Sequence, residues 1–192
     1  MDRIISLDKA VFHAVNWTSA NSFFDQLMPF VSDKSNFIFP IVAVAALIVI
    51  YGKRKDRWGL FLLAITVFAS DSICNLLKHA FMRVRPCEAV NGVRLLVGCG
   101  RSYSFPSGHA TNIFAAMVFL SIRYKRYLPL LIAIALTVSY SRVYVGVHYP
   151  TDVVGGAVLG SLVAAAIYGI DKKYLWTRVE SFGKKPASFR PS

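Results

Sequence analysis

Hydrophobic positions in this chain are gathered into blocks. Five apolar runs, at about 36–51, 58–77, 109–124, 127–144 and 152–170, are separated by short polar stretches except for a long loop after the second. About 20 helical residues cross a hydrocarbon core of about 30 Å. The pattern therefore predicts an all-α integral membrane bundle of five spanning helices. The first and third runs are short, so their ends must borrow flanking polar residues or thin the bilayer locally. Ahead of them, Ile4, Ile5, Leu7, Val11, Phe12 and Val15 share one helical face, opposite Asp2, Asp8, Lys9 and Asn16. That face predicts an N-terminal amphipathic helix in the outer interface, anchored by Trp17, Phe23, Phe24 and Phe30. The alternative is a sixth span, which would have to bury Asn16, Asn21 and Asp25. The expected organisation is an amphipathic segment at 1–34, a transmembrane core at 35–171 and a basic cytoplasmic tail at 172–192, disordered from 183 onward.

Composition agrees with a membrane protein. Hydrophobic residues make up 55% of the chain and charged residues 17%, and the mean hydropathy is +0.49. A net charge of +12 raises the question of nucleic acid. The charges cluster in short loops between apolar runs, with no basic stripe interleaved with aromatics, which excludes that reading. Basic residues gather at 53–57, at Arg123, Lys125 and Arg126, and in the tail. Five spans put these three stretches on one side, which the positive-inside rule makes the cytoplasm. The loop at 78–107 and the turn at 145–151 then face outward. The N-terminus lacks a basic, apolar and small-residue signal pattern and is expected to belong to the mature protein.

Three short motifs fall on that outward side: Lys78 with Arg85-Pro86, then Ser104-Phe105-Pro106-Ser107-Gly108-His109, then Ser141-Arg142 followed by His148 and Asp152. A helix that begins before Asp152 would let its carboxylate reach back one turn to His148. A carboxylate that accepts one ring N–H fixes the tautomer and frees the other nitrogen as a nucleophile. The alternative is an ordinary interface histidine paired with an aspartate. At the next motif, Ser107 and Gly108 would offer backbone N–H groups to an anion at a helix start, and Gly108 leaves room for close approach. His109 is then placed to protonate a leaving oxygen; otherwise Ser107 is a plain helix cap. Lys78, Arg85 and Arg142 supply three cations of the kind that stabilise charge on transferring phosphoryl oxygens. Single basic residues at an interface more often snorkel, and Arg83 and Arg94 are assigned to that role.

In order and spacing these motifs resemble the three-part signature of the type 2 phosphatidic acid phosphatase family, from Lys78 to Asp152 with no departure at a motif position. The resemblance implies Lys78, Arg85, Arg142, Ser107 and Gly108 as phosphate ligands and His109 as the acid. It implies His148 as a nucleophile that passes through a phosphohistidine, and Asp152 as its orienting partner. It implies no metal and no cofactor. The location expected is a bacterial inner membrane, as a multi-pass protein, and the charge pattern turns the site toward the periplasm or exterior. The partners expected are the bilayer and a lipid phosphate or pyrophosphate: undecaprenyl pyrophosphate, phosphatidylglycerophosphate, phosphatidate or lipid A 1-phosphate. A lipid phosphotransferase of the same architecture is one alternative. A non-catalytic lipid-binding or transport protein is another, although it has no need of the two histidines. No oligomeric state is read from the pattern.

Asp71 lies two turns before Lys78 on a similar helix face and is expected to position it. Cys74 falls inside a span, where it packs. Cys87 and Cys99 share the outward loop, in a compartment that permits disulfides, and pair there unless both remain free thiols.

Overall fold

The computed structural model describes residues 2–175 of the chain. Helices stand where the five apolar runs predict them: α3 (Ser35–Tyr51), α4 (Arg54–Phe81), α6 (Gly108–Arg123), α7 (Leu128–Tyr144) and α8 (Pro150–Ile170). Ahead of them come α1 (Asp2–His13), continued by a π-helical turn at Ala14–Thr18, and α2 (Ser22–Ser32); α5 (Pro86–Ala89) is one turn in the long loop. Local chemistry marks the ends. The Asn21 side chain accepts from the Phe24 amide at the start of α2, Met82 turns left-handed to end α4, and Pro150 opens α8 at a position where its missing N–H costs nothing.

Among the described residues, three helical stretches are long and apolar enough to cross a membrane: Arg54–Ala89, Lys125–Tyr144 and Pro150–Lys173. A fourth exists if α2 and α3, bent by 52° at their junction, count as one broken span. The expected third span, α6, has 16 residues and reaches only about 24 Å. It is nevertheless the hub of the bundle, packed on α4, α7 and α8.

The α6–α8 contact depends on two glycines. A Cβ on Gly160 would lie 2.1 Å from the Thr111 carbonyl oxygen, and one on Gly156 would lie 2.6 Å from that of Ser107. Small residues one turn apart let helix backbones approach this closely. At the far end Leu62, Phe119 and Ala164 close the core. There Tyr124 donates to Asp56 at 2.8 Å, Arg123 to the Lys55 carbonyl, and Trp58 to Asp171 at 2.8 Å. The two basic links thus meet at one end of the bundle, opposite the motifs.

The N-terminal helix forms, but with its faces used differently from the sequence expectation. Asp8, Phe12 and Asn16, one turn apart, are buried in the protein, whereas Ile5, Leu7 and Val11 are exposed. In a membrane the surroundings are also apolar, so the greasy face can point away while polar groups seek partners inside. Phe24 likewise packs inward on Tyr140 and Tyr144, whereas Phe23 and Phe30 stay exposed. Helix α3 has no buried residue. The tail expected to be disordered lies outside the described residues.

Candidate active site

The three motifs converge at the end of the bundle where α4, α6, α7 and α8 start or stop. Lys78 comes from the last turns of α4, Arg85 from the extended segment after it, Ser107 from the start of α6, Arg142 from the last turn of α7, and His148 and Asp152 from the α7–α8 turn and its following helix. All six are buried. His109 is half-buried on α6, facing the backbone of Ser32.

His148 sits between two kinds of neighbour. Its Nε2 is 3.3 Å from Arg85 Nη1, and its Nδ1 is 3.5 Å from both Asp152 Oδ2 and Ser104 Oγ. A guanidinium can only donate, so Nε2 must carry the lone pair and Nδ1 the proton. The 3.5 Å separation is long for a hydrogen bond. Burial lowers the His148 pKa to about 3, against the pull of Asp152. The ring is therefore neutral, with its basic nitrogen turned toward the cations. Asp152 Oδ2 also accepts from the Tyr149 amide at 2.8 Å and from the Ser104 hydroxyl, which fixes the carboxylate at the helix start.

The three cations lie within electrostatic reach of one another. Arg85 donates from Nε to the Ser102 carbonyl at 2.7 Å and from Nη1 to the Val147 carbonyl at 3.1 Å. Lys78 Nζ donates to the Tyr103 carbonyl at 2.5 Å. Arg142 turns onto Ser32, donating to its carbonyl at 3.2 Å and to its hydroxyl. Two buried groups on motif residues lack a partner, Ser107 Oγ and Arg142 Nε. Buried polar atoms are ordinarily satisfied, so these two suit a ligand with acceptor oxygens. Ser107 does not cap α6 with its side chain, which removes the plain-cap reading. A Cβ on Gly108 would meet only Cys74 Sγ, at 3.8 Å, so protein packing does not require glycine there.

Several expectations need correcting. The Ser107 amide is not free for an anion, because it donates to the Asp152 carbonyl at 2.9 Å. Gly108 opens α6, so its amide has no partner within the helix. Asp71 does not position Lys78: it accepts from Asn75 at 3.0 Å and Asn112 at 2.9 Å. Neither Arg83 nor Arg94 snorkels. Arg94 Nη2 donates to both carboxylate oxygens of Asp25, each at 2.7 Å, tying the loop at 78–107 to α2, and these bonds raise its pKa. Arg83 donates to Asp152 Oδ1 and to Asp8 Oδ2, each at 2.6 Å. Its signal was its place two residues before Arg85 in an extended segment, where side chains i and i+2 point the same way. Ser32 and Asp8 carried no comparable signal, being far from the motifs in sequence. Cys87 and Cys99 form the expected disulfide, and Cys74 is free and buried.

The chain resembles known proteins both in sequence and in fold. The sequence pattern of the PAP2 superfamily matches residues 57–176. The chain is 33% identical to an undecaprenyl-diphosphatase of Sulfolobus acidocaldarius, over 93% of this chain and 81% of that one. It is 40% identical to phosphatidylglycerophosphatase B of Bacillus subtilis, over 72% and 70%. The crystal structure of a transmembrane PAP2 type phosphatidylglycerolphosphate phosphatase from Bacillus subtilis superposes with a TM-score of 0.74 at 26% identity, over 91% of this chain and 89% of that one.

Proposed function

This chain belongs to the PAP2 superfamily of type 2 phosphatidic acid phosphatases and is a membrane lipid phosphatase, and from that premise we propose how its residues perform the hydrolysis. His148 Nε2 attacks phosphorus while the bond to the lipid oxygen breaks and His109 gives that oxygen a proton. Water then attacks the phosphohistidine, the N–P bond breaks, and His109 takes the proton of the water. Asp152 and Ser104 hold Nδ1, which keeps the lone pair on the attacking nitrogen. Lys78, Arg85, Arg142, the Ser107 hydroxyl and the Gly108 amide take the phosphoryl oxygens as charge builds on them. The arginine forks supply bidentate contacts and Lys78 a point charge. For Arg142 this requires a substrate oxygen in place of Ser32.

The observation that carries this reading is the setting of the His148 ring, with Nε2 3.3 Å from Arg85 Nη1 and Nδ1 3.5 Å from both Ser104 and Asp152. Purified protein should release phosphate from a lipid phosphate without an added alcohol acceptor, which separates hydrolysis from phosphotransfer. His148→Ala and His109→Ala should each abolish turnover while the protein still folds and inserts. Normal activity of His148→Ala would end the phosphohistidine mechanism. Activity should also survive a chelator, because protein cations perform the charge stabilisation.

We infer five spans, α3, α4, α6, α7 and α8, with α1 and α2 at the outer interface and the site facing away from the cytoplasm. The charge pattern supports that orientation, with basic residues at 53–57 and 123–126 gathered at the end opposite the site. The short α6 is accommodated because it is the hub, enclosed by other helices rather than by lipid. The substrate is a lipid phosphate or pyrophosphate of the outer leaflet. A panel of undecaprenyl pyrophosphate, phosphatidylglycerophosphate, phosphatidate and lipid A 1-phosphate decides among head groups.

A further inference from the structure

We propose that Arg83 and Asp8 are positioning residues of the hydrolytic site, with Arg83 setting the orientation of Asp152 and Asp8 on the N-terminal helix setting that of Arg83. The proposal rests on the reading of His148 as nucleophile and Asp152 as its partner.

The network is continuous and closed. Arg83 Nη1 donates to Asp152 Oδ1 at 2.6 Å and to Thr151 Oγ1 at 2.7 Å. Its Nη2 donates to Asp8 Oδ2 at 2.6 Å. Asp8 in turn accepts from the Thr151 amide at 2.9 Å and from its hydroxyl at 2.6 Å. The Asp8 side chain is 2% exposed and that of Asp152 is 0% exposed. Both carboxylates are thus held by one guanidinium, whose planar fork can meet two acceptors at once. Its face lies 4.2 Å from the Tyr149 ring centre, which fixes the plane of the fork.

The division of oxygens on Asp152 gives this network its consequence. Oδ1 is taken by Arg83, and Oδ2 receives Ser104 and the Tyr149 amide and faces His148 Nδ1. Without Arg83, Oδ1 would be left buried and unpaired, and the carboxylate would be free to rotate about its last bond. Rotation would exchange the oxygen facing His148 and weaken the hold on the Nδ1 proton. Arg83 is not a fourth phosphate ligand, since both of its terminal nitrogens are committed to carboxylates. Asp8 lies ahead of residues 57–176, the segment that carries the superfamily pattern, so a helix outside that segment completes the site.

The test uses the full chain in detergent, with the lipid phosphate that turns over fastest in the panel above. Arg83→Ala should lower kcat by about 100-fold and Asp8→Asn by about 10-fold, with KM within about twofold, as expected when a reacting group is misplaced by a fraction of an ångström. Arg83→Lys, which keeps the charge but loses the fork, should recover part of the loss. Rapid-quench trapping of the phosphoenzyme should show its formation, rather than its hydrolysis alone, slowed in each variant. A rise in KM at unchanged kcat, or unfolding of Asp8→Asn and Arg83→Lys, would overturn the proposal and leave the network as a structural clamp for α1. His148→Ala serves as control. If that variant is active, the underlying mechanism fails. If it is inactive while Asp8→Asn and Arg83→Ala turn over normally, only the positioning role fails.

Discussion

Replacing Gly160 with alanine tests whether close approach of α6 and α8 sets the geometry of the site. The new Cβ would stand 2.1 Å from the Thr111 carbonyl oxygen and 2.8 Å from the Ala115 amide nitrogen. A carbon and a carbonyl oxygen tolerate about 3.3 Å, so the two backbones must separate by about 1.2 Å. Neither neighbour is a flexible side-chain tip, and the strain cannot be relieved by a rotamer change. Overpacking of this kind costs about 1–3 kcal/mol. The separation also carries Ser107, on α6, away from Asp152, on α8, whose carbonyl takes the Ser107 amide at 2.9 Å. Misplacement by about 1 Å costs about 100-fold in rate. Gly156→Ala, with its Cβ 2.6 Å from the Ser107 carbonyl itself, requires a smaller shift but applies it at the site. It should therefore lose as much activity for less stability. Thermal unfolding in detergent and kcat on one lipid phosphate measure the two effects. Wild-type melting temperature and kcat in Gly160→Ala would refute the argument.

Three further outcomes are expected. The folded pKa of His148 is about 3 against an ordinary 6.5, so between those values the unfolded chain binds the extra proton and stability falls as pH falls. The slope is up to about 1.4 kcal/mol per pH unit, and His148→Gln should show a shallower loss of melting temperature between pH 6.5 and 4 than the parent. Reduction of the Cys87–Cys99 disulfide, which closes a loop with a sequence separation of 12, should cost about 3 kcal/mol. Activity should fall only in part, because Arg85 is also tied to Ser102, and mass spectrometry of unreduced peptides checks the pairing itself. A cysteine introduced at Asn91 should be labelled on intact cells by an impermeant thiol reagent and one at Asp56 protected; the reverse would put the site on the cytoplasmic side.

The sequence alone determined the helices and most of the candidate site, and the reason lies in periodicity and spacing. Five blocks of apolar residues could bury their backbone polar groups only as helices in lipid, and α3, α6, α7 and α8 begin and end within two residues of those blocks. Lys78, Ser107, Arg142, His148 and Asp152 each stood at or near a block edge and Arg85 in the loop that follows the second block, where a phosphate at the interface could be met. The tertiary structure decided which face of α1 turns inward. With lipid outside and protein inside both apolar, amphipathicity gave no sign of direction, and Asp8 and Asn16 went to the partners that could satisfy them. It also decided the fates of Arg83, Arg142 and Asp71. Arg83 meets Asp8 across 75 residues of chain and Arg142 meets Ser32 across 110. Asp71, two helix turns from a candidate ligand by pattern, found Asn112 on another helix instead. Local spacing fixes which side chains share a helix face, but which charged group pairs with which depends on contacts between distant segments, and those exist only once the bundle has closed.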